Sequence, residues 1–460
     1  MSLKLRAWLL FLIFLNGYVS LSLELIVIRQ LAFYVGSSAI VTSIIIGTFL
    51  GFMSLGYFKG ASNKIPKSNI KDILFASFLT IALMTVLAGS FALISSYFGI
   101  MYSYGIYSII PQTFIYSLIF LSAAPLLFGF NTALLSRYLH KYNSNYTGNI
   151  MAWDTIGSVL GSLATTLILM PFIGVNYAII IVTALSLAAA YIAKPKPKLL
   201  VLSAIIMIPA FWINSGSFLQ KEHGIIVNNA NSTISVDDFP NEKVLFMNGV
   251  SMSFYNKKNR TSAEYINYIN DNFIYNMPRD KKRNILVLGA GGFTAGLNDN
   301  FNNYTFIDIE KTLKDISEQK FLEEKLTPNK IFIVQDASQF LKNATINYDL
   351  IILDVYSNSY QVPEDFITAE FMQRLKNRVA ENGIIIMNVI CSPNFADRYT
   401  QVFDNTFHSV FDRNTQRQAV GLSNPWMENT AANVMYIYYN RENSGRIYTI
   451  NKTPVIYDRK

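Results

Sequence analysis

The chain has 460 residues, of which 51% are hydrophobic and only 15% charged, against about a quarter charged in ordinary soluble domains. Its formal net charge of +8 does not read as nucleic-acid binding, because many lysines and arginines sit in short loops between apolar segments instead of clustering with aromatics on a soluble face. The single cysteine, Cys391, excludes an intramolecular disulfide and a cysteine-rich metal site, and His140, His223 and His408 are too scattered to form a ligand set, so no metal is expected.

From Ala7 to Ser215 charges are almost confined to connecting loops, and from Lys221 onward the composition is that of a soluble protein. The expected organisation is therefore a transmembrane bundle over 1–215, a small lead-in over 220–278 and an α/β domain over 279–460. Seven apolar stretches, near 7–28, 38–58, 73–97, 112–135, 155–173, 176–193 and 199–214, each approach the roughly 20 residues that a helix needs to cross the hydrocarbon. The first is too long and too polar-spotted for a signal peptide, so it reads as a retained span. Lys4 and Arg6 precede it, and Lys59, Lys64, Lys67, Lys71, Arg137, Lys141, Lys194, Lys196 and Lys198 mark alternate loops, whereas the other loops carry essentially only Arg29. That asymmetry predicts a cytoplasmic N-terminus, and seven spans then place the C-terminal part on the other side.

Two carboxylates lie in or at these spans. Glu24 is inside the first, and Asp154 opens the fifth. Intramembrane acids are costly and so are functional candidates; the plainer expectations are a Glu24–Arg29 pair and Asp154 as a helix N-cap. Gly47-x3-Gly51 and Gly157-x3-Gly161 have the spacing for close helix packing.

After Ser215, Ile225–Val227, Thr233–Val236 and Val244–Met247 read as strands, with Asn248-Gly249 as a turn, and a helix is expected over about 260–275. Continuous apolar runs follow at Ile285–Leu288, Tyr304–Ile307, Ile331–Val334, Leu350–Leu353 and Ile384–Met387, with a helix over about 368–380 and a further strand at Val434–Tyr439. Runs of this kind, alternating with helices, predict a doubly wound, mostly parallel sheet whose strands are buried on both faces. The fold class expected is thus an α-helical transmembrane bundle followed by an α/β domain with a small antiparallel lead-in.

In such sheets the ligand sits beyond the carboxyl ends of the strands. Here that edge holds Gly289-Ala290-Gly291-Gly292 and three acids, Asp308, Asp336 and Asp354. Asp308 lies 19 residues after Gly289, the position that bonds ribose hydroxyls in nucleotide-binding sheets. Thr294 stands where the dinucleotide fingerprint needs its third glycine, which disfavours NAD. A lone adenosyl group fits better, approached by Gly289 and Gly291, with Asp308 on the ribose and Asp336-Ala337 near the adenine.

The segment from about 220 to 390 resembles the spermidine synthases (polyamine aminopropyltransferases), and the whole chain resembles their bacterial membrane-bound members. The resemblance rests on the strand pair leading to Asn248-Gly249, on Ile285-Leu286-Val287-Leu288-Gly289-Ala290-Gly291, on Ile307-Asp308-Ile309-Glu310, on Gln335-Asp336-Ala337 with Phe340-Leu341, and on Tyr348 to Asp354. Looser features are Leu23-Glu24-Leu25 and the stretch from Asp154 to Gly161. It implies a domain of the S-adenosylmethionine-dependent transferase type in a multi-pass inner (plasma) membrane protein. By the same resemblance Asp308 holds ribose, Asp336 holds the adenine amino group, and Asp354 takes the proton from the attacking amine. Decarboxylated S-adenosylmethionine, or S-adenosylmethionine itself, is then a co-substrate, with no prosthetic group. The expected partners are the lipid bilayer, a small-molecule nucleoside and a polyamine; a homodimer is left open.

The chain also departs from the family. Gly292 replaces an aspartate after the glycine run, Ser357 replaces a second acid after Asp354, Asn248 replaces the turn aspartate, and Ser262-Ala263-Glu264 lacks the tyrosine of a Tyr-x-Glu motif. An ammonium left unpaired in a buried pocket costs on the order of 3–5 kcal/mol, about a hundred- to thousand-fold in rate. The nucleoside half of the site is therefore retained and the amine half depleted. Three readings follow: aminopropyl transfer from decarboxylated S-adenosylmethionine to a polyamine, methyl transfer from S-adenosylmethionine, and a transporter or sensor that binds nucleoside or polyamine without chemistry. An adenosyl donor is a cytoplasmic compound, which conflicts with the placement that seven spans predict.

Overall fold

The computed structural model describes residues 3–36, 38–62, 69–140, 146–356, 362–411, 413–421 and 431–441. Lys64, Lys67, Lys141 and Ser357 lie outside the described residues. The chain divides into two compact units, Met1–Val236 with Phe246–Gly249, and Asp237–Leu245 with Val250–Lys460.

The first unit is built of apolar helices. Leu5–Val35, Ala39–Ala61, Ile70–Gly89, Thr147–Ile173 and Val175–Ala193 are long and apolar enough to cross a membrane. Two bent pairs, Ile109–Phe120 with Ala123–His140 (48°) and Lys198–Ile213 with Gly216–His223 (52°), raise the number to as many as seven among the described residues. This is a multi-pass membrane protein. Helix limits follow from local chemistry: Ser38 accepts from the Val41 N–H, and Gly174, at φ +96°, separates the fifth long helix from its predecessor. The stretch Thr165–Ile173 widens into π-helical turns around Pro171, which has no N–H to give to the ladder. The expected span over 73–97 breaks at Ser90, whose hydroxyl accepts from Asn214 Nδ2 at 2.9 Å.

Polar contacts sort the helix ends into two groups. At one end Trp8 Nε1 donates to the Ile192 carbonyl (2.6 Å), Lys194 and Lys196 both pair with Asp72 (2.6 and 2.7 Å), and Arg137 donates to the Ser62 carbonyl. At the other, Asn176 Nδ2 donates to the Asn214 carbonyl (2.8 Å), Gln30 Nε2 to the Gly89 carbonyl (3.2 Å) and Asn228 Nδ2 to Gln30 Oε1 (3.0 Å). Arg29 belongs to this second group. Instead of pairing with Glu24, it donates to the Asn229 carbonyl (2.9 Å) and to Asn248 Oδ1 (3.3 Å). Asp154 likewise departs from expectation: helix Tyr146–Ala164 begins earlier than the apolar run, so Asp154 lies about two turns inside it and is no N-cap.

Close packing uses only one of the two glycine pairs. A Cβ on Gly157 or Gly161 would meet the carbonyls of Phe14 and Tyr18, whereas one on Gly47 or Gly51 would meet open space. Gly56, Gly60 and Gly129 serve the other close contact, between Ala39–Ala61 and Ala123–His140.

The lead-in forms a four-stranded sheet in the order β1-β2-β3-β4, from β1 (Ile225–Asn228), β2 (Thr233–Asp238), β3 (Glu242–Met247) and β4 (Val250–Asn256). Asn248 and Gly249 take φ +52° and +78° at the β3–β4 turn, the left-handed pair that a tight hairpin needs.

The second unit carries β5 (Asn284–Leu288), β6 (Asn303–Asp308), β7 (Lys330–Val334), β8 (Tyr348–Leu353), β9 (Val379–Cys391), β10 (Thr415–Val420) and β11 (Ala432–Tyr439) in one sheet, ordered β10-β11-β9-β8-β5-β6-β7. Strands β9, β8, β5, β6 and β7 are parallel, and β11 and β10 close the edge antiparallel. This is a mostly parallel seven-stranded sheet in an α/β unit. Central β5 is apolar and buried throughout Ile285–Leu288, as expected of a strand covered on both faces.

Local details differ from the sequence pattern. The helix expected over 260–275 is one α-helical segment, Glu264–Ile269, followed by a π-helical turn, Asn270–Ile274. No helix joins β5 to β6; that stretch, rich in glycine, asparagine and aspartate, is a succession of turns. Helix Ala369–Lys376 ends sooner than expected, since β9 already begins at Val379 and passes through an irregularity at Asn382-Gly383, with Asn382 at φ +60°.

Candidate functional site

The parallel register sets the site. Leu288 of β5 stands opposite Ile307 of β6 on one side and Leu353 of β8 on the other, and Asp308 stands opposite Val334 of β7. Asp354, Gly289, Asp308 and Asp336 therefore follow the ends of four neighbouring strands, spread along the carboxyl edge over about 14 Å at the usual strand spacing.

Gly289 adopts φ +93°, and a Cβ on it would run into the Asp354 carbonyl. A bulkier residue could neither take this conformation cheaply nor let β8 come so close. The turn is then held by its neighbours: Ala290 N–H donates to Asp308 Oδ2 (3.0 Å), Gly292 N–H to Ser253 Oγ (2.8 Å), and Ser317 Oγ to the Gly292 carbonyl (3.0 Å). A side chain at 292 would strike the Phe321 ring. The aspartate that the family resemblance implies at this position would have to displace that ring.

Asp308 accepts a second backbone bond, from Glu310 N–H at 3.0 Å. Burial pushes its carboxyl above the usual carboxylate range, and these backbone donors pull it part of the way back. Glu310 is itself buried and caps Thr312, through its N–H (3.0 Å) and its hydroxyl (2.7 Å). Asp336 is exposed and caps helix Ala337–Asn343, accepting from Gln339 N–H at 2.8 Å, while Ala337 is buried. Only backbone ties Asp336 to Asp308, through Gln335 N–H to the Asp308 carbonyl (2.9 Å).

Asp354 is half-buried, with both oxygens engaged. Tyr265 donates its hydroxyl to Oδ2 (2.9 Å), and Asn388 donates Nδ2 to Oδ1 (2.9 Å). Burial raises the proton affinity of this carboxyl, and the Asn388 and Tyr265 donors partly offset the rise. Tyr265, half-buried beside that acid, keeps its proton well beyond ordinary tyrosine pH. Tyr356 donates to the Asn388 carbonyl (2.9 Å) and so fixes the strand that carries the amide.

The glycine turn thus touches Asp308 and Asp354 directly, and Asp336 stands one strand further along. Sequence reasoning missed Tyr265, Asn388 and Ser253. Tyr265 sits immediately after the incomplete Ser262-Ala263-Glu264 motif, so a tyrosine displaced in sequence was the available signal. Asn388 is the one polar residue in the run Ile384–Ile390 of β9, a buried amide that calls for a partner. Ser253 gave no signal. Among the described residues no group of three or more potential metal ligands occurs.

A model of the spermine/spermidine synthase domain matches residues 272–424. A polyamine aminopropyltransferase of Vibrio vulnificus is 21% identical over 140 residues, 29% of this chain and 46% of that protein. The chain therefore spans about half the length of that relative. A second, polyamine aminopropyltransferase 2 of Aquifex aeolicus, is 22% identical over 402 residues, covering 81% of this chain and 77% of its own. The crystal structure of Thermotoga maritima spermidine synthase superposes with a TM-score of 0.35 at 13% identity, over 45% of this chain and 69% of that one.

Proposed function

Because this chain carries a spermidine synthase family domain behind an N-terminal apolar helical bundle, we propose that it is a membrane-bound aminopropyltransferase, acting on decarboxylated S-adenosylmethionine and an amine. The nucleoside lies across the glycine turn at Gly289 and Gly291, with its ribose on Asp308 and its adenine toward Asp336 and Ala337. The free amine nitrogen attacks the aminopropyl carbon next to the sulfonium, a C–N bond forms as the C–S bond breaks, and the thioether nucleoside leaves. Asp354 accepts the proton that the nitrogen loses.

The observation that carries this reading is the anchoring of Asp354. A carboxylate beside the glycine turn, held through both oxygens and with its proton affinity raised by burial, suits a base. Tyr265 and Asn388 act as positioning residues. Free amines of this kind hold a proton to roughly pH 10, so an oriented acceptor matters.

Methyl transfer from S-adenosylmethionine is the second reading. Phe321 closing position 292 favours it, because that chemistry does not need the acid absent there. Mass spectrometry of products from the purified full-length protein, supplied with each sulfonium donor and a panel of amines, decides between them. An aminopropylated amine supports the first and a methylated product the second. Nucleoside binding without product leaves a transporter or sensor. In the first case Asp354→Asn should lower turnover at least a hundred-fold, with nucleoside affinity nearly unchanged. Turnover that survives this substitution removes Asp354 from the chemistry.

We further propose that the N-terminus faces the cytoplasm of the inner membrane, since the basic residues gather at the helix ends that share it.

A further inference from the structure

The membrane unit contains a cavity whose lining shares no residue with the nucleoside edge. It has a volume of about 750 Å³ and lies between helices Ala39–Ala61, Ala123–His140 and Tyr146–Ala164. That is within the usual range for small-molecule sites. Tyr57, Ala133, Ile150 and Met151 supply apolar wall, and Asp154 is the single acid among the lining residues. Asp154 and Thr132 lie about 12 Å from the ends of their helices, by the rise of 1.5 Å per residue.

The buried groups behind Asp154 hold more acceptors than donors. Asp154 Oδ1 receives Asn16 Nδ2 at 3.4 Å and Oδ2 receives Thr132 Oγ1 at 3.3 Å, both long bonds from neutral groups. Asn16 Nδ2 is shared further with the Phe128 carbonyl and Thr132 Oγ1, each at 3.2 Å. Asn131 Nδ2 donates to Asn16 Oδ1 (3.1 Å), and Asn131 Oδ1, on a fully buried side chain, has no donor. Among the described residues no lysine, arginine or histidine pairs with Asp154. A carboxylate left so in a span is costly, and an ammonium answers it with charge and three donors.

We propose that this cavity binds a monoamine, its one ammonium on Asp154 and its apolar body along Ile150 and Met151. A polyamine fits poorly: a second ammonium finds no acid on the walls and approaches Arg137 and His140, which lie in the last turn of their helix. The inference does not depend on the transferase reading.

Thermal unfolding of the full-length protein in nanodiscs tests it, with hexylamine, spermidine and hexanol as probes. Saturating hexylamine should raise Tm by about 2–4 °C, and hexanol and spermidine should not. Asp154→Asn should abolish the shift, its amide still bonding to Asn16 and Thr132, and Asp354→Asn should keep it. Should Asp154→Asn fail to fold, Met151→Trp, which fills the cavity from an exposed position and spares the acid, must remove the shift. Absence of a shift in the unaltered protein, or an equal shift in the variants of the cavity, overturns the proposal. Loss of turnover in Asp354→Asn with the hexylamine shift intact separates this site from the nucleoside edge.

Discussion

Tyr265 and Asn388 each donate one bond to Asp354, so either one can be changed to retune its proton affinity without dismantling the edge. In Tyr265→Phe the carboxylate loses a donor that favours its charged form, and burial is left less opposed. The carboxyl must then rise further. Bonds to charged groups are worth about 1.5–3 kcal/mol, so the acidic limb of kcat/KM should move up by about 1–2 pH units. The sign is the test: a base whose pKa is raised loses its acceptor form as pH falls, so activity should be lost at a higher pH in the variant. An unmoved limb would mean that Asp354 is not the titrating base. None of this chemistry was evident from residue types alone. Asp354 was legible because a strand-end acid follows an apolar run. Its two partners were not, because Tyr265 and Asn388 lie 89 and 34 residues away and meet only when the sheet forms.

Helix packing in the membrane unit separates spacing from use. Both glycine pairs have the same separation, yet only Gly157 and Gly161 press against backbone, at Phe14 and Tyr18. Gly157→Leu should force helix Leu3–Val35 away from Tyr146–Ala164 and lower the thermal midpoint of the protein in detergent by several degrees. Gly47→Leu, facing open space, should leave it within error. Overpacking of this sort typically costs about 1–3 kcal/mol; equal midpoints in the two variants would show that the helix contact does not carry stability. The contrast explains what could be read in advance. Long apolar runs, Asn248-Gly249 and the buried strands Ile285–Leu288 and Leu350–Leu353 announce themselves, since hydropathy and turn chemistry act locally. Which face of a helix meets a neighbour does not, because all faces of these helices are apolar. The break at Ser90 escaped for a related reason: its hydroxyl meets a distant partner, Asn214.

At the scale of the whole chain, crossing number and charge bear on one question, the side reached after the last span. One group of helix ends holds Trp8, Arg137, Lys194 and Lys196, and the other holds Ser90, Asn176, Asn214 and His223, whose ring meets Phe91. Seven crossings would carry the chain from the first group to the second. With the basic ends cytoplasmic, Lys221 should then lie outside. The native Cys391 is buried and its thiol is raised by burial, so it leaves a quiet background for labelling. A membrane-impermeant maleimide should modify Lys221→Cys in intact cells and Lys196→Cys only after permeabilisation. The opposite pattern would invert the bundle, and equal labelling would mean that one bent pair, such as Lys198–Ile213 with Gly216–His223, turns back without crossing. The outcome also constrains the chemistry. An adenosyl donor is made in the cytoplasm, so an external Lys221 would require that donor to be delivered across the bilayer, whereas an internal one would remove the conflict at the cost of one crossing.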